Sequence, residues 1–288
     1  MNGVAIVIDS VASLPAEEIA RYDIHRIPIK IVFEDKIYRD GIDLSTSEAY
    51  ALLEKAPDTF STAPSSPADY ADMYRELVRQ GRSVLCITIS SRLSTTHNVA
   101  LLAKDQVKKE MPQAEIAVLD SRTATATEGL VALAAAQSAA RGDPLEEVIT
   151  KGREVAENNR LLIALDTIRW VYRTGRVPKI ATQVGTALGV KPILTIDDGV
   201  AHLAGVTRTL HSGIERIIET MKRQINSRPI HAVVVHADVP GEGETLRQRI
   251  AAEFTCRELF LAGVSPIIGY AIGRGALGVG YYSLPGES

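Results

Sequence analysis

Five hydroxyl side chains fall within seven residues, at Ser90, Ser91, Ser94, Thr95 and Thr96. They follow an apolar, β-branched run of strand length at 84–89 and precede a helical pattern resuming at Asn98. A strand that delivers such a turn onto a helix start suits an anion. Free backbone N–H groups and the positive end of the helix dipole point to that place, and hydroxyls add donors. Helix capping is the plainer use of a Ser or Thr there, but one cap needs one hydroxyl, so the turn reads as an anion-binding site. His97 introduces a second chemistry. Ser94 as nucleophile, His97 as base and a strand-end Asp as its orienter would make an acyl or ester hydrolase, although no GxSxG elbow surrounds these serines.

The other polar candidates carry less. His231 and His236 are five apart on a predicted strand, so they point to opposite faces and cannot share a metal. No metal or cofactor is expected. Asp197–Asp198 precedes Gly199, and a hairpin turn accounts for the pair. Gly273, Gly275 and Gly278 fit GxGxxG, yet only ten residues follow, too few for the helix and second strand of a dinucleotide site. These glycines read instead as points of close backbone approach. Arg173, Arg176 and Arg208 stand beside turns, where a phosphate or protein partner is conceivable and solvation is the default.

Strands and helices must position these groups. Residues 4–8 form a first strand ending at Asp9–Ser10. Residues 24–33 read as one strand, with Pro28 favouring an edge, and 36–40 as its return. Helices are expected over 47–54 and 68–80, with a hydroxyl- and proline-rich loop between them at 59–67. A strand at 115–119 ends at Asp120–Ser121, and an Ala-rich helix follows over 128–141. Strands alternating with helices imply a parallel sheet, whose ligands bind beyond the carboxyl ends of the strands. Asp9–Ser10, Ser90–Ser91 and Asp120–Ser121 all lie at such ends. The second half reads as a strand at 160–165, a short helix at 183–188, a hairpin at 190–208, helices over 211–226 and 242–254, and strands at 231–236 and 258–262. A glycine-rich tail finishes as a strand. The domain boundary is placed at 158/159, giving α/β domains over 1–158 and 159–288.

The chain has 288 residues, 45% of them hydrophobic and 23% charged, enough for two domains with sizeable cores. A formal net charge of −3 argues against nucleic-acid binding, which needs a basic surface. No stretch is long and apolar enough to span a membrane or act as a signal peptide, so stable membrane insertion is not expected. Cys86 and Cys256 form no CxxC pair, and Cys86 sits within an apolar strand, which suits a reduced, cytoplasmic protein.

Several stretches together resemble the DegV family of bacterial fatty-acid-binding proteins. They are IDSVASLP, YRDGIDLS, STAPSSPADY, ISSRLSTTHNVA, VLDSRTATATEG, RTGRVPKIATQVGTALGVKPILTIDDG, VTRT and SPIIGYAIGRGALGVGYY, in family order over essentially the whole chain. The resemblance implies two α/β domains with a long-chain fatty acid buried between them. It implies that the acid's carboxylate is held by Thr62 and Ser94, with Ser61 and Thr95 beside them. It also implies a carrier rather than an enzyme, with a separate fatty acid kinase as a partner, for which Arg176 and Arg208 are candidate contacts. Three departures stand out. Thr95 replaces the Gly of the family's Leu-Ser-Gly-Thr turn, and Ser61–Thr62–Ala63–Pro64 replaces Thr-Ser-Gln-Pro. Ala271 stands where the family has a His beside the carboxylate, and Arg274 is the candidate to supply the missing charge.

Overall fold

In a computed structural model the chain is described over residues 3–176 and 189–284. The short helix expected at 183–188 lies outside the described residues, as does part of the stretch around it.

The first half opens with β1 (Val4–Asp9), α1 (Ala16–Arg21), β2 (His25–Ile27), β3 (Lys30–Phe33) and β4 (Lys36–Arg39). It continues with α2 (Thr46–Lys55), β5 (Phe60–Ala63), α3 (Pro67–Arg79), β6 (Ser83–Thr88) and α4 (Thr96–Glu110). It ends with β7 (Ile116–Asp120), α5 (Thr125–Ala140) and α6 (Leu145–Asn158). Strands β2-β1-β6-β7 form a wholly parallel sheet. Its core strands are β-branched and buried on both sides, as helices on both faces require. Tyr70, Tyr74 and Leu77 of α3 and Ala100, Ala103 and Val107 of α4 pack on one face against Ala5, Val7, Val84 and Cys86.

Two expectations for this half are corrected. Residues 24–33 are two strands, because Pro28 interrupts the ladder. β2 stays in the parallel sheet, while β3 turns away to pair antiparallel with β4 and with β5. The expected loop at 59–67 therefore contains a strand, in which Ile31 faces Thr62 and Val32 faces Ser61.

The second half contributes β8 (Arg160–Ala164), α7 (Val171–Thr174), β9 (Lys191–Asp197), β10 (Val200–Thr207) and α8 (Leu210–Ile225). Then come β11 (Ile230–His236), α9 (Pro240–Glu253), β12 (Cys256–Gly263), α10 (Pro266–Ile272) and β13 (Leu277–Tyr282). All six of these strands form one mixed sheet, β10-β9-β8-β13-β11-β12, with the last strand of the chain inserted near its centre. The glycine-rich tail, expected to hold only a final strand, also contains the helix α10.

Helix α5 joins the two sheets. Its sequence, TATEGLVALAAAQSAA, is almost entirely buried, and helices apolar all round are interior helices. One hydrophobic cluster runs from Ile6 and Ile8 of β1 through Leu130 and Leu133 of α5 to Val233, Val235 and Tyr282 of the second sheet. Small residues permit this closeness: a Cβ on Gly280 of β13 would fall 2.6 Å from the Cβ of Ala126. Among the described residues no helix is long and apolar enough to cross a membrane.

Candidate functional site

The two halves leave a cavity of about 340 Å³, within the range of small-molecule sites. The first half walls it with Thr62 of β5, with Ser91, Arg92, Ser94 and Thr95 of the turn after β6, and with Thr125 at the start of α5. The second half brings mainly aliphatic side chains, among them Leu161 and Ile163 of β8, Leu194 and Ile196 of β9, and Ile267 and Ile268 of α10.

The turn after β6 is built by its own hydroxyls and backbone. The N–H groups of Leu93 and Ser94 both donate to the Ser90 carbonyl, at 3.0 and 3.1 Å. Ser94 Oγ accepts from the Thr96 N–H at 3.2 Å and lies 2.8 Å from Thr96 Oγ1. The Asp9 carboxylate braces the turn from beneath, accepting from the N–H groups of Ile89 at 2.9 Å and Val11 at 3.1 Å. The N-termini of α4 and α5 reach the cavity through Thr95 and Thr125; neither N-cap residue, Thr95 or Ala124, supplies a side-chain cap, and in α4 the Ser94 hydroxyl takes up only the Thr96 N–H. In the same half α2 and α3 are closed by capping boxes. Uncapped first-turn N–H groups beside hydroxyls make a place for a carboxylate.

Thr62, Ser94 and Thr95 thus line one cavity, on segments far apart in sequence. Ser61 does not join them: along β5 side chains alternate, so Thr62 turns inward while Ser61 is exposed. Arg274 does not join them either. Its guanidinium pairs with Asp238 at 3.0 Å and Glu54 at 3.2 Å, outside the cavity, because α10 ends before it and Gly273 turns the chain away. Ala271 does line the cavity, so no donor occupies that position. Arg176 stands at the cavity wall, its Nη1 donating to the Thr174 carbonyl at 2.7 Å. Arg208 is exposed beyond β10, away from the lining.

The hydrolase alternative finds no geometry. His97 Nδ1 is 3.1 Å from Thr88 Oγ1, while the Ser94 hydroxyl is engaged with Thr96, so the base does not address the nucleophile. Among the described residues no group of His, Cys, Asp and Glu could hold a metal ion.

Sequence reasoning missed Thr125, Arg92 and α10. Thr125 is β-branched yet has φ 50°, an outlying conformation held by hydrogen bonds to Ser13. Its signal was the hydroxyl-rich stretch at 121–127. The helix α10 is anchored by buried Asp40, whose Oδ2 accepts from Ser10 at 2.7 Å and from Ser265, the α10 N-cap, at 2.6 Å. Burial raises that carboxyl above its ordinary range.

Comparison with known proteins agrees with this architecture. A DegV domain-containing protein of Caldanaerobacter subterraneus is 32% identical over 77% of this chain and 78% of its own length. Protein DegV of Bacillus subtilis is 28% identical over 96% and 98%. A solved structure described as DegV, a fatty acid binding protein from Bacillus subtilis, superposes with a TM-score of 0.87 at 28% identity, covering 99% of this chain and all of that one. One described as fatty acid binding of a DegV family protein from Thermus thermophilus gives 0.88 at 26% identity, covering 98% of this chain and all of that one. The model of the DegV family, described as uncharacterised proteins, matches residues 3–284, and the chain belongs to that family.

Proposed function

We propose that this protein is a carrier that holds a long-chain fatty acid in the cavity between its two halves. The observation that carries this reading is the composition of the walls: aliphatic side chains chiefly from β8, β9 and α10, hydroxyls and uncapped helix N-termini from the first half. Burying the tail contributes about 0.8 kcal/mol per methylene, and the carboxylate must not be buried unpaired. Thr62 and Ser94, helped by Thr95 and backbone N–H groups, supply the head-group donors in this reading. Two relatives above 25% identity, described as fatty acid binding, support it.

The protein, in this proposal, presents its ligand rather than transforming it, and a separate kinase acting on the bound acid is the partner to seek through Arg176 and Arg208. A division at 158/159 is part of the same proposal, supported by the larger sheet drawing every strand from beyond that point. So is a cytoplasmic setting, which two free cysteines suit. Native mass spectrometry of the purified protein tests the central reading. A co-purified long-chain acid, or saturable uptake of added palmitate at one per chain, is the expected result. A protein that carries none and takes up none would overturn it.

A further inference from the structure

The β9–β10 hairpin belongs to the second half, yet its tip is fastened to the hydroxyl turn of the first. Asp198 and Gly199 have φ of 47° and 77°, as a two-residue turn between right-twisted strands requires. Ser90, fully buried, donates its hydroxyl to the Gly199 carbonyl at 2.8 Å and accepts from the Arg92 N–H at 3.2 Å. The approach leaves no room for a side chain, since a Cβ on Gly199 would fall 2.5 Å from Ser90 Oγ. Beside this bond the Asp198 carboxylate lies between two guanidinium groups, Arg92 at 3.0 Å and Arg122 on its other oxygen. Asp120, at the end of β7, orders both loops by accepting from the N–H groups of Ser91 at 3.2 Å and Arg122 at 2.9 Å.

The same hairpin is a cavity wall. Thr195, Ile196 and Ala201 flank its tip and line the cavity, as does Arg92 on the facing loop. Most of the other walls belong to the buried core. This wall is closed at its end by ion pairs whose side chains are about half exposed, 46% for Asp198 and 56% for Arg92. Such pairs are weak and screened by salt.

We propose that the Asp198 clasp on Arg92 and Arg122 is a latch that sets how fast the cavity exchanges its ligand. Closed, it holds the hairpin against the Ser90–Ser94 turn; released, it lets the hairpin swing away and the ligand pass. Asp198 and Arg122 are positioning residues in this account, which rests on the fatty-acid reading for the identity of the ligand.

The test uses Asp198→Asn, which keeps a residue tolerant of positive φ and removes the charge. Stopped-flow uptake of cis-parinaric acid, followed by energy transfer from Trp170, the single tryptophan, gives the association rate; displacement by excess palmitate gives the dissociation rate. Losing two exposed ion pairs should raise both rates about three- to tenfold, with their ratio unchanged. The parent's rates should climb with ionic strength and the variant's should not. Unchanged rates would overturn the latch, and so would slower association with weaker binding, which would make Asp198 part of the head-group site. Arg122→Gln, outside the cavity lining, repeats the test if Asp198→Asn does not fold, with the same direction and a smaller effect. A second arm needs no ligand. Amide hydrogen exchange over residues 195–203 should quicken in the variant while β1 and β6 stay protected, and unaltered exchange there would overturn the latch. Failure of the parent protein to take up cis-parinaric acid would instead count against the fatty-acid reading, with the exchange arm still deciding the clasp.

Discussion

Thr62 and Ser94 reach the same cavity from β5 and from the turn after β6. A carboxylate accepts about four hydrogen bonds, so two hydroxyls and one or two helix N–H groups satisfy it. Hydrogen bonds to a charged group contribute roughly 1.5–3 kcal/mol each. Thr62→Val and Ser94→Ala, titrated separately with fatty acid, should therefore each weaken binding by about tenfold to a hundredfold. Because Ala271 offers no donor, dependence on the two hydroxyls should be strong; parental affinity in both variants would place the head group elsewhere. A second residue-scale effect concerns Asp9 and Glu128, both fully buried. Burial pushes the Asp9 carboxyl up to about 6. Burial, and next the neighbouring Asp9 charge, push Glu128 well above its ordinary range. The folded protein thus holds these protons more tightly than the unfolded chain does, so their contribution to stability falls as pH rises above the ordinary carboxylate range, the loss from Asp9 being complete past about 6 and that from Glu128 continuing higher. The slope is at most about 1.4 kcal/mol per pH unit for each group. Glu128→Gln should flatten that decline and be more stable than the parent on the alkaline side, as denaturant titrations across pH would show. Parallel pH–stability curves for the two proteins would contradict the assignment.

At the scale of elements, α5 and β13 show how close packing constrains the sequence. A methyl group on Gly280 would meet Ala126 Cβ at 2.6 Å and Thr127 Cγ2 at 2.9 Å, and neither can move far inside a helix buried between sheets. Gly280→Ala should cost about 1–3 kcal/mol through overpacking, read as a lowered midpoint in thermal unfolding; an unchanged midpoint would mean the two layers are not rigidly apposed. These contacts also show where the sequence was legible. The strands β1, β6 and β7 and the Asp198–Gly199 hairpin announce themselves through apolar β-branched runs and turn chemistry, which are local signals. β5 does not, because Ser61 and Thr62 sit in a hydroxyl-rich stretch, and its strand conformation comes from pairing with β3. Nor does α10, whose identity as a helix rests on a cap from Ser265 held by Asp40, 225 residues away in sequence.

At the scale of the whole molecule, one cavity draws its polar groups chiefly from loops at the carboxyl ends of the first sheet and its apolar walls from the second. Thr62, Ser94 and Thr95, candidates from the sequence, line this cavity, but local sequence does not say which way a side chain on an unrecognised strand points, and Ser61 of β5 is exposed instead. Local sequence also could not show that Arg274 would be drawn to Asp238 and Glu54, since that pairing exists only after α10 docks. In the proposed function a single fatty acid lies in this cavity with its head at the hydroxyl turn. The measurement that meets it most directly is the electron density of crystals grown with palmitate. Continuous density with the carboxylate within hydrogen-bond distance of Thr62 and Ser94, and the chain running among Ile163, Leu194 and Ile267, is the predicted result. An empty cavity in protein shown to hold palmitate, or a head group bound away from those hydroxyls, would contradict it.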